Sequence, residues 1–193
     1  MPRPGVSTSA TSSPDRCDHR VVLSLVLVNG LPGSGKSTLA GPLARELDWP
    51  LLGKDIVKEA IHRGFAPDKV TLDWSRRAGA AAFEVLWALA AIAPRAVIEA
   101  PLRPGSPHEV TALAGLDAQI VVVRCVVPRR VAQERYAQRH ADARHAVHAI
   151  TALTDALCEE FDGDLGVGPV IEVDTTDVVD VAALAERVRR LFG

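Results

Sequence analysis

One motif constrains this chain more than any other: residues 30–38 read GLPGSGKST, which fits the pattern G-x-x-x-x-G-K-[ST]. It follows the apolar run 21–28, and leucines at helical spacing continue from Ser37 to Leu47. A strand, a glycine-rich turn and a helix in this order form a loop whose backbone N–H groups and helix N-terminus bind phosphate. A plain glycine turn would explain neither Lys36 nor Ser37, so the pattern predicts a nucleotide phosphate-binding loop.

Several residues of the predicted loop have a defined task. Gly30, Gly33 and Gly35 let backbone N–H groups turn toward the β-phosphate. Lys36 reaches the β- and γ-phosphates as a point charge, and the Ser37 hydroxyl completes the shell of a Mg²⁺ ion. Three more members of the loop complete the predicted nucleotide-binding set: Pro32, Ser34 and Thr38.

Short apolar stretches alternate with helical patterns along the rest of the chain. Strands are predicted at 21–28, 50–52, 96–99, 120–127 and 170–173. Helices are predicted at 37–47, 56–62 and 71–91, within 105–115, within 129–162 with an interruption, and at 178–192. This alternation indicates an α/β fold with a five-stranded parallel sheet covered by helices on both faces, in which ligands bind at the carboxyl ends of the strands.

Composition and charge argue against several classes of protein. With 193 residues, a net charge of −2 and scattered basic residues, we expect one domain over 19–193 that does not bind duplex nucleic acid. Residues 1–18 are rich in Ser, Thr and Pro and predict a disordered tail, and no apolar stretch is long enough to span a bilayer. The three cysteines are unevenly spaced without a CxxC pair, which favours reduced thiols in a cytoplasmic protein.

Three carboxylates follow predicted strands: Asp55 after the second, Glu99 at the end of the third and Asp174 after the fifth. We expect them at the same edge of the sheet as the phosphate loop. Asp55 suits two roles, the N-cap of helix 56–62 and the general base that accepts a proton from, or orients, a hydroxyl attacking the γ-phosphate. Glu99 ends an apolar strand and therefore needs a partner, either the Mg²⁺ shell through water or the substrate.

Arginines supply positive charge for phosphate chemistry. Arg135 and Arg139 are four residues apart on one helix face, so both are candidates to bind the triphosphate, with a solvated helix face as the alternative. Arg103 lies in the loop after the third strand, where it can meet the substrate or a phosphate. Lys54, next to Asp55, is expected to be a solvated charge.

Five segments together resemble the P-loop kinases of the AAA_33 group, whose relatives include chloramphenicol phosphotransferase and zeta-toxin-like kinases. They are GLPGSGKST at 30–38, GKDIVK at 53–58, VIEA at 97–100, the pair Arg135 and Arg139, and VDTT at 173–176. The likeness covers about residues 22–192. It implies a nucleoside-monophosphate-kinase-like fold with a helical lid at about 129–148, and ATP-dependent phosphorylation of a hydroxyl on an antibiotic, a sugar or a nucleoside-like molecule.

The same resemblance implies roles for single residues. Asp55 would be the general base, Arg135 and Arg139 would be lid arginines, and Thr175 would lie at the edge of the adenine pocket. Family members often carry Asp where this chain has Glu99. The zeta-toxin arrangement has a glutamate there and uses it for the substrate, so both roles of Glu99 stay open.

Three functions are compatible with these patterns. The preferred one is a kinase that uses ATP and Mg²⁺ and holds a small-molecule hydroxyl acceptor between Asp55, Glu99 and Arg103. The second is an ATP-binding switch or NTPase that acts through a protein partner. The third and weakest, a polynucleotide 5′-hydroxyl kinase, needs a basic groove that the sequence does not show. The chain has no Asn-Lys-x-Asp motif for guanine, which favours ATP.

Overall fold

A computed structural model describes residues 22–139, 147, 149–150 and 152–193. Its strands and helices follow in the order β1 Leu23–Gly30, α1 Lys36–Leu47, β2 Leu51–Gly53, α2 Lys54–Phe65, α3 Leu72–Ala90, β3 Arg95–Glu99, α4 Pro107–Ala114, β4 Ala118–Val126, α5 Arg129–Arg139, α6 Asp155–Glu159, β5 Val170–Asp174 and α7 Val181–Phe192. The tail predicted for 1–18, and residues 140–146 and 148 of the predicted lid, lie outside the described residues.

The five strands form one parallel sheet in the order β2-β3-β1-β4-β5. The central strand β1 pairs with β3 and β4, in registers that set Val28 beside Glu99 and Gly30 beside Cys125. The loop that follows β1 therefore leaves from the middle of the carboxyl edge, where ligands bind in such sheets. The five-stranded parallel sheet predicted from the sequence is confirmed.

Two apolar layers enclose the sheet because side chains of β1 alternate between its faces. Val26 and Val28 pack against α1 and α7, whereas Leu25 and Leu27 pack on the side of α3 and α4. All four are fully buried, and burying an aliphatic side chain of this size contributes about 1.5–3 kcal/mol. The strand that carries the phosphate loop is thus anchored in both halves of the core.

The start of α2 differs from the prediction. The helix begins at Lys54, and Gly53 occupies its N-cap position without a side-chain hydrogen bond. Asp55 therefore does not cap the helix but lies in its first turn, where a carboxylate interacts favourably with the helix dipole. The closing helix likewise begins at Val181 rather than at 178, because the Asp180 side chain caps it. None of the described helices is long and apolar enough to cross a bilayer.

Candidate active site

The phosphate loop has a backbone that depends on glycine. Gly33 and Gly35 have φ angles of 82° and 85°, in the left-handed region that favours glycine. A Cβ at Gly33 would also overlap the carbonyl oxygen of Ala132 in α5. Helix α1 begins directly after Gly35, so its unpaired N–H groups lie at the loop as a phosphate site requires.

Thr175 braces this loop from the end of β5. Its hydroxyl donates to the carbonyl oxygen of Ser34 at 2.6 Å, and its side chain is buried. The guanidinium of Arg135 donates in turn to the carbonyl oxygens of Thr175 and Thr176, at 3.0 and 2.8 Å. The structure therefore sets Arg135 and Thr175 beside the loop and ties them to each other.

Lys36 is buried at the base of the loop. Its ammonium donates to the carbonyl oxygens of Gly30 and Leu31, at 2.9 and 2.7 Å. Burial lowers the pKa of Lys36, and the nearby Glu99 carboxylate opposes that shift. A charge held in this position is suited to bind phosphate oxygens that approach the loop.

Glu99 and Ser37 meet below the loop. The Ser37 hydroxyl donates to Glu99 Oε1 at 3.2 Å, and Glu99 is only 5% exposed. Burial raises the pKa of Glu99, and the Lys36 ammonium opposes that rise. A hydroxyl and a carboxylate oxygen side by side are hard oxygen ligands of the type that Mg²⁺ binds, so these two residues fit the ion.

Lys36 and Glu99 face a cleft of about 220 Å³ that brings several of the candidates together. Its lining consists of Pro32, Lys36, Lys54, Asp55, Lys58, Ser75, Glu99, Pro101, Arg103, Tyr136, Arg139, Ala149, Ile150, Leu157 and Phe161. The loop lysine, the three predicted substrate contacts Asp55, Glu99 and Arg103, and Arg139 therefore share one cavity. Asp174 does not line it: its exposed carboxylate accepts a hydrogen bond from Thr176 N at 2.8 Å, which lowers its pKa.

The neighbourhood of Asp55 corrects the expectation for Lys54. The Lys54 ammonium lies 3.0 Å from Asp55 Oδ1 and 5.8 Å from the centre of the Phe83 ring. Its side chain is 11% exposed, so Lys54 is not a solvated charge. It is held against α3 as part of the cleft, because an aromatic face attracts an ammonium group.

Arg103 is rigidly held. Its Nε and Nη2 donate to Glu109 Oε1 at 3.0 and 2.7 Å, and its backbone N–H donates to Glu109 Oε2 at 2.6 Å. Nη1 also donates to Glu160 at 3.3 Å. Glu109 and Glu160 therefore balance much of the positive charge of Arg103. Arg103 lines the cleft in this fixed position.

Sequence reasoning missed three polar residues of the cleft: Lys58, Ser75 and Tyr136. Lys58 lies three residues after Asp55, a spacing that sets both on one face of α2 and could have identified it. Ser75 continues the buried stripe of Ala78 and Ala82 in α3, where a lone hydroxyl signals a polar contact. The Tyr136 hydroxyl donates to the carbonyl oxygen of Ile150, 14 residues away, and no local sequence pattern predicts that contact.

The parallel sheet and its phosphate loop have the architecture of a kinase-like P-loop protein. The chain belongs to the AAA_33 family, an AAA domain, whose family model matches residues 25–163. The resemblance drawn from the five sequence segments is therefore confirmed at the level of the family.

Individual proteins and solved structures are also similar to this chain. The solved structure of a candidate kinase from Chloroflexus aurantiacus is 30% identical, with a TM-score of 0.74 over 88% of this chain and 98% of that one. A UPF0200 protein from Aeropyrum pernix is 28% identical over 169 residues, 84% of this chain and 87% of that protein. APS kinase from Mycobacterium tuberculosis, solved with AMPPNP and APS, shares the fold at 17% identity, with a TM-score of 0.55 over 89% of this chain and 98% of that one.

Proposed function

We propose that this protein is an ATP-dependent kinase that transfers the γ-phosphate to a hydroxyl group of a small molecule. The observation that carries the proposal is the shared cleft, in which Lys36 of the phosphate loop and Asp55 of α2 line the same cavity. A nucleotide on the loop would direct its γ-phosphate toward that cavity, and a hydroxyl beside Asp55 would then be within reach of it. A cavity rather than an open groove suits a small acceptor.

In the proposed reaction, Asp55 is the general base. The acceptor hydroxyl gives its proton to the Asp55 carboxylate while its oxygen bonds to the γ-phosphorus. The bond between that phosphorus and the β–γ bridging oxygen breaks, and ADP leaves. The Lys54 ammonium, 3.0 Å from the carboxylate, orients Asp55 through a hydrogen bond. Asp55 later releases the proton to solvent.

Charge at the phosphates is balanced by other residues in this scheme. Lys36 and Arg139 line the cleft and would bind the oxygens on which negative charge develops. Ser37 and Glu99 would hold Mg²⁺, directly and through water, and the bound ion would neutralise charge on the β- and γ-phosphates. Arg135 and Thr175 would keep the loop in shape from the side of the adenine pocket.

Phosphotransfer itself is the test. Purified protein is incubated with γ-labelled ATP, Mg²⁺ and a panel of sugars, nucleosides, hydroxy acids and antibiotics, with Asp55→Asn and Asp68→Asn beside the wild type. Asp68 is exposed and outside the cleft, so its variant is the matched control. We expect label on an acceptor with the wild type and the control. With Asp55→Asn the rate of transfer should fall by a factor of at least about 100, since a general base accelerates a reaction by about 10²–10⁴.

A measurement of ATP binding shows whether the Asp55→Asn variant is folded, and so separates a catalytic role of Asp55 from a structural one. ATP should still bind Asp55→Asn, because Asp55 lies in α2 and is not part of the phosphate loop at 30–38. Full turnover in this variant would remove Asp55 as the base. Label released only as free phosphate with every acceptor, at equal rates in both variants, would instead favour an ATP-hydrolysing switch.

A further inference from the structure

The lining of the cleft carries more positive than negative charge. Five lining residues are cationic and two are anionic: Lys36, Lys54, Lys58, Arg103 and Arg139 against Asp55 and Glu99. Lys54 is paired with Asp55, and Arg103 is paired with Glu109 and Glu160, which do not line the cleft. Lys36 belongs to the phosphate loop. Arg139 is likewise assigned to the phosphate oxygens, so the cation that remains for the acceptor is Lys58.

Lys58 is an unusual lysine. It is 5% exposed, and its ammonium donates to the Ser75 hydroxyl at 2.8 Å. Among the residues that the structure describes, no carboxylate forms an ion pair with it. Burial lowers the pKa of Lys58 to about 8, the neighbouring Lys54 acts in the same direction, and the Asp55 carboxylate offsets only part of the shift. A buried ammonium that no carboxylate contacts directly is costly, so a cleft that retains one is suited to an anion.

Ser75 gives the ammonium a fixed position. The hydroxyl is itself buried in α3, and it also accepts a hydrogen bond from the backbone N–H of Ala149 at 3.4 Å. Lys58 is thus held between α2 and α3 rather than moving in solvent. Preorganised donors of this kind bind an anion without an ordering cost.

We propose that Lys58, positioned by Ser75, binds an anionic group of the acceptor, so that the substrate is a compact hydroxyl compound with a carboxylate or a phosphate. This inference rests on the proposed kinase function and names its substrate class. Asp55 and Lys58 lie three residues apart on one face of α2, so the reacting hydroxyl and the anionic group would be bound from the same face of one helix. Leu157 and Phe161 supply an apolar surface for the carbon skeleton.

Binding of matched pairs tests the charge preference without requiring phosphotransfer. The protein is saturated with ADP and Mg²⁺, so that added anions do not report on the phosphate loop, and Tm is followed during titration. The probes are glycerol 3-phosphate against glycerol, glycerate against glyceramide, and further hydroxy acids against their amides. We expect the anionic member of at least one pair to raise Tm and its neutral member to have no effect. The responding pair distinguishes a phosphate from a carboxylate.

Two variants assign the effect to Lys58. Lys58→Met should weaken binding of the anionic probe about 10- to 100-fold, the effect of losing a charge-assisted hydrogen bond. Lys69→Met, a change of the same kind at an exposed position outside the cleft, should leave it unchanged. Equal binding of acids and amides across the panel, or equal anion affinity in Lys58→Met and wild type, would overturn the proposal.

The labelled-phosphate assay separates this inference from the proposed function. Phosphorylation of neutral acceptors as fast as their acids would leave the kinase function standing and refute the anion site. A Lys58-dependent Tm shift, together with label released only as free phosphate, would support the anion site and refute the kinase function.

Discussion

The hydroxyl of Thr175 donates to the carbonyl oxygen of Ser34 at 2.6 Å, which joins the end of β5 to the phosphate loop across 141 residues of chain. Both residues are buried, so water cannot replace the bond. Thr175→Val should therefore lower the free energy of unfolding by about 1 kcal/mol and weaken ATP binding, because the loop carbonyl loses its partner. Urea denaturation and a nucleotide-binding titration measure the two effects.

Thr111→Val is the control for this bond, since Thr111 is exposed in α4, away from the phosphate loop. It should change neither stability nor ATP affinity. If Thr175→Val lost stability and bound ATP as tightly as the wild type, the hydrogen bond would stabilise the fold without shaping the loop.

Lys36→Ala should weaken ATP binding and slow turnover together. The ammonium is the buried charge at the loop, and loss of a charge-assisted hydrogen bond lowers affinity about 10- to 100-fold. Titration with ATP and initial rates give both numbers, and the exposed Lys69→Ala is the matched control. Wild-type kinetics in Lys36→Ala would contradict the assignment of the loop.

Glu99→Gln distinguishes the two roles proposed for this residue. If the carboxylate supports Mg²⁺ through water, the variant should need about 10- to 100-fold more Mg²⁺ for half-maximal rate, with little change in the KM of the acceptor. If it contacts the acceptor, the KM rises and the Mg²⁺ dependence stays as in the wild type. Glu46→Gln, on the exposed side of α1, controls for the loss of a negative charge.

The burial of Lys58 predicts a specific pH dependence of stability. Its pKa is about 8 in the folded protein and near the model-peptide value of 10.5 in the unfolded chain. Between these values the unfolded state binds more protons, so Lys58 makes the free energy of unfolding rise with pH, by about 1 kcal/mol per unit. Below pH 8 both states are protonated and the full cost of the buried charge remains.

Lys58→Met should abolish that rise and be more stable than the wild type at pH 7. Urea denaturation of both proteins at pH 7, 8, 9 and 10 gives the difference, and contributions from Lys36 cancel because both proteins share it. A difference that is constant over this range would show that Lys58 does not lose its proton there.

The first part of the fold was predictable because its elements follow one another directly in the sequence. The strand, the loop and α1 are contiguous over 23–47, and each is specified by its own residue pattern. The start of α2 was not predictable in this way. Gly53 pairs with Glu99 in the sheet, and the helix begins at the next residue, so tertiary pairing overrides the preference of Asp55 for an N-cap.

The partners of the charged side chains required the three-dimensional structure. Arg103 was expected at the substrate, and it lines the cleft, but its acids Glu109 and Glu160 lie 6 and 57 residues away. Lys54 faces the cleft because Phe83 of α3 packs beside it. Contacts between side chains on different elements leave no periodic trace in the sequence, so composition and spacing cannot reveal them.

The sheet order separates the two halves of the proposed reaction in space. The phosphate loop follows the central strand β1, whereas Asp55 and Lys58 follow the edge strand β2. Residues of α2 and α3 that line the cleft can therefore change without disturbing the strands on either side of the loop. Substitutions beside the edge strand are therefore enough, by selection or by engineering, to change which acceptor such a protein binds. The phosphate loop after the central strand stays the same.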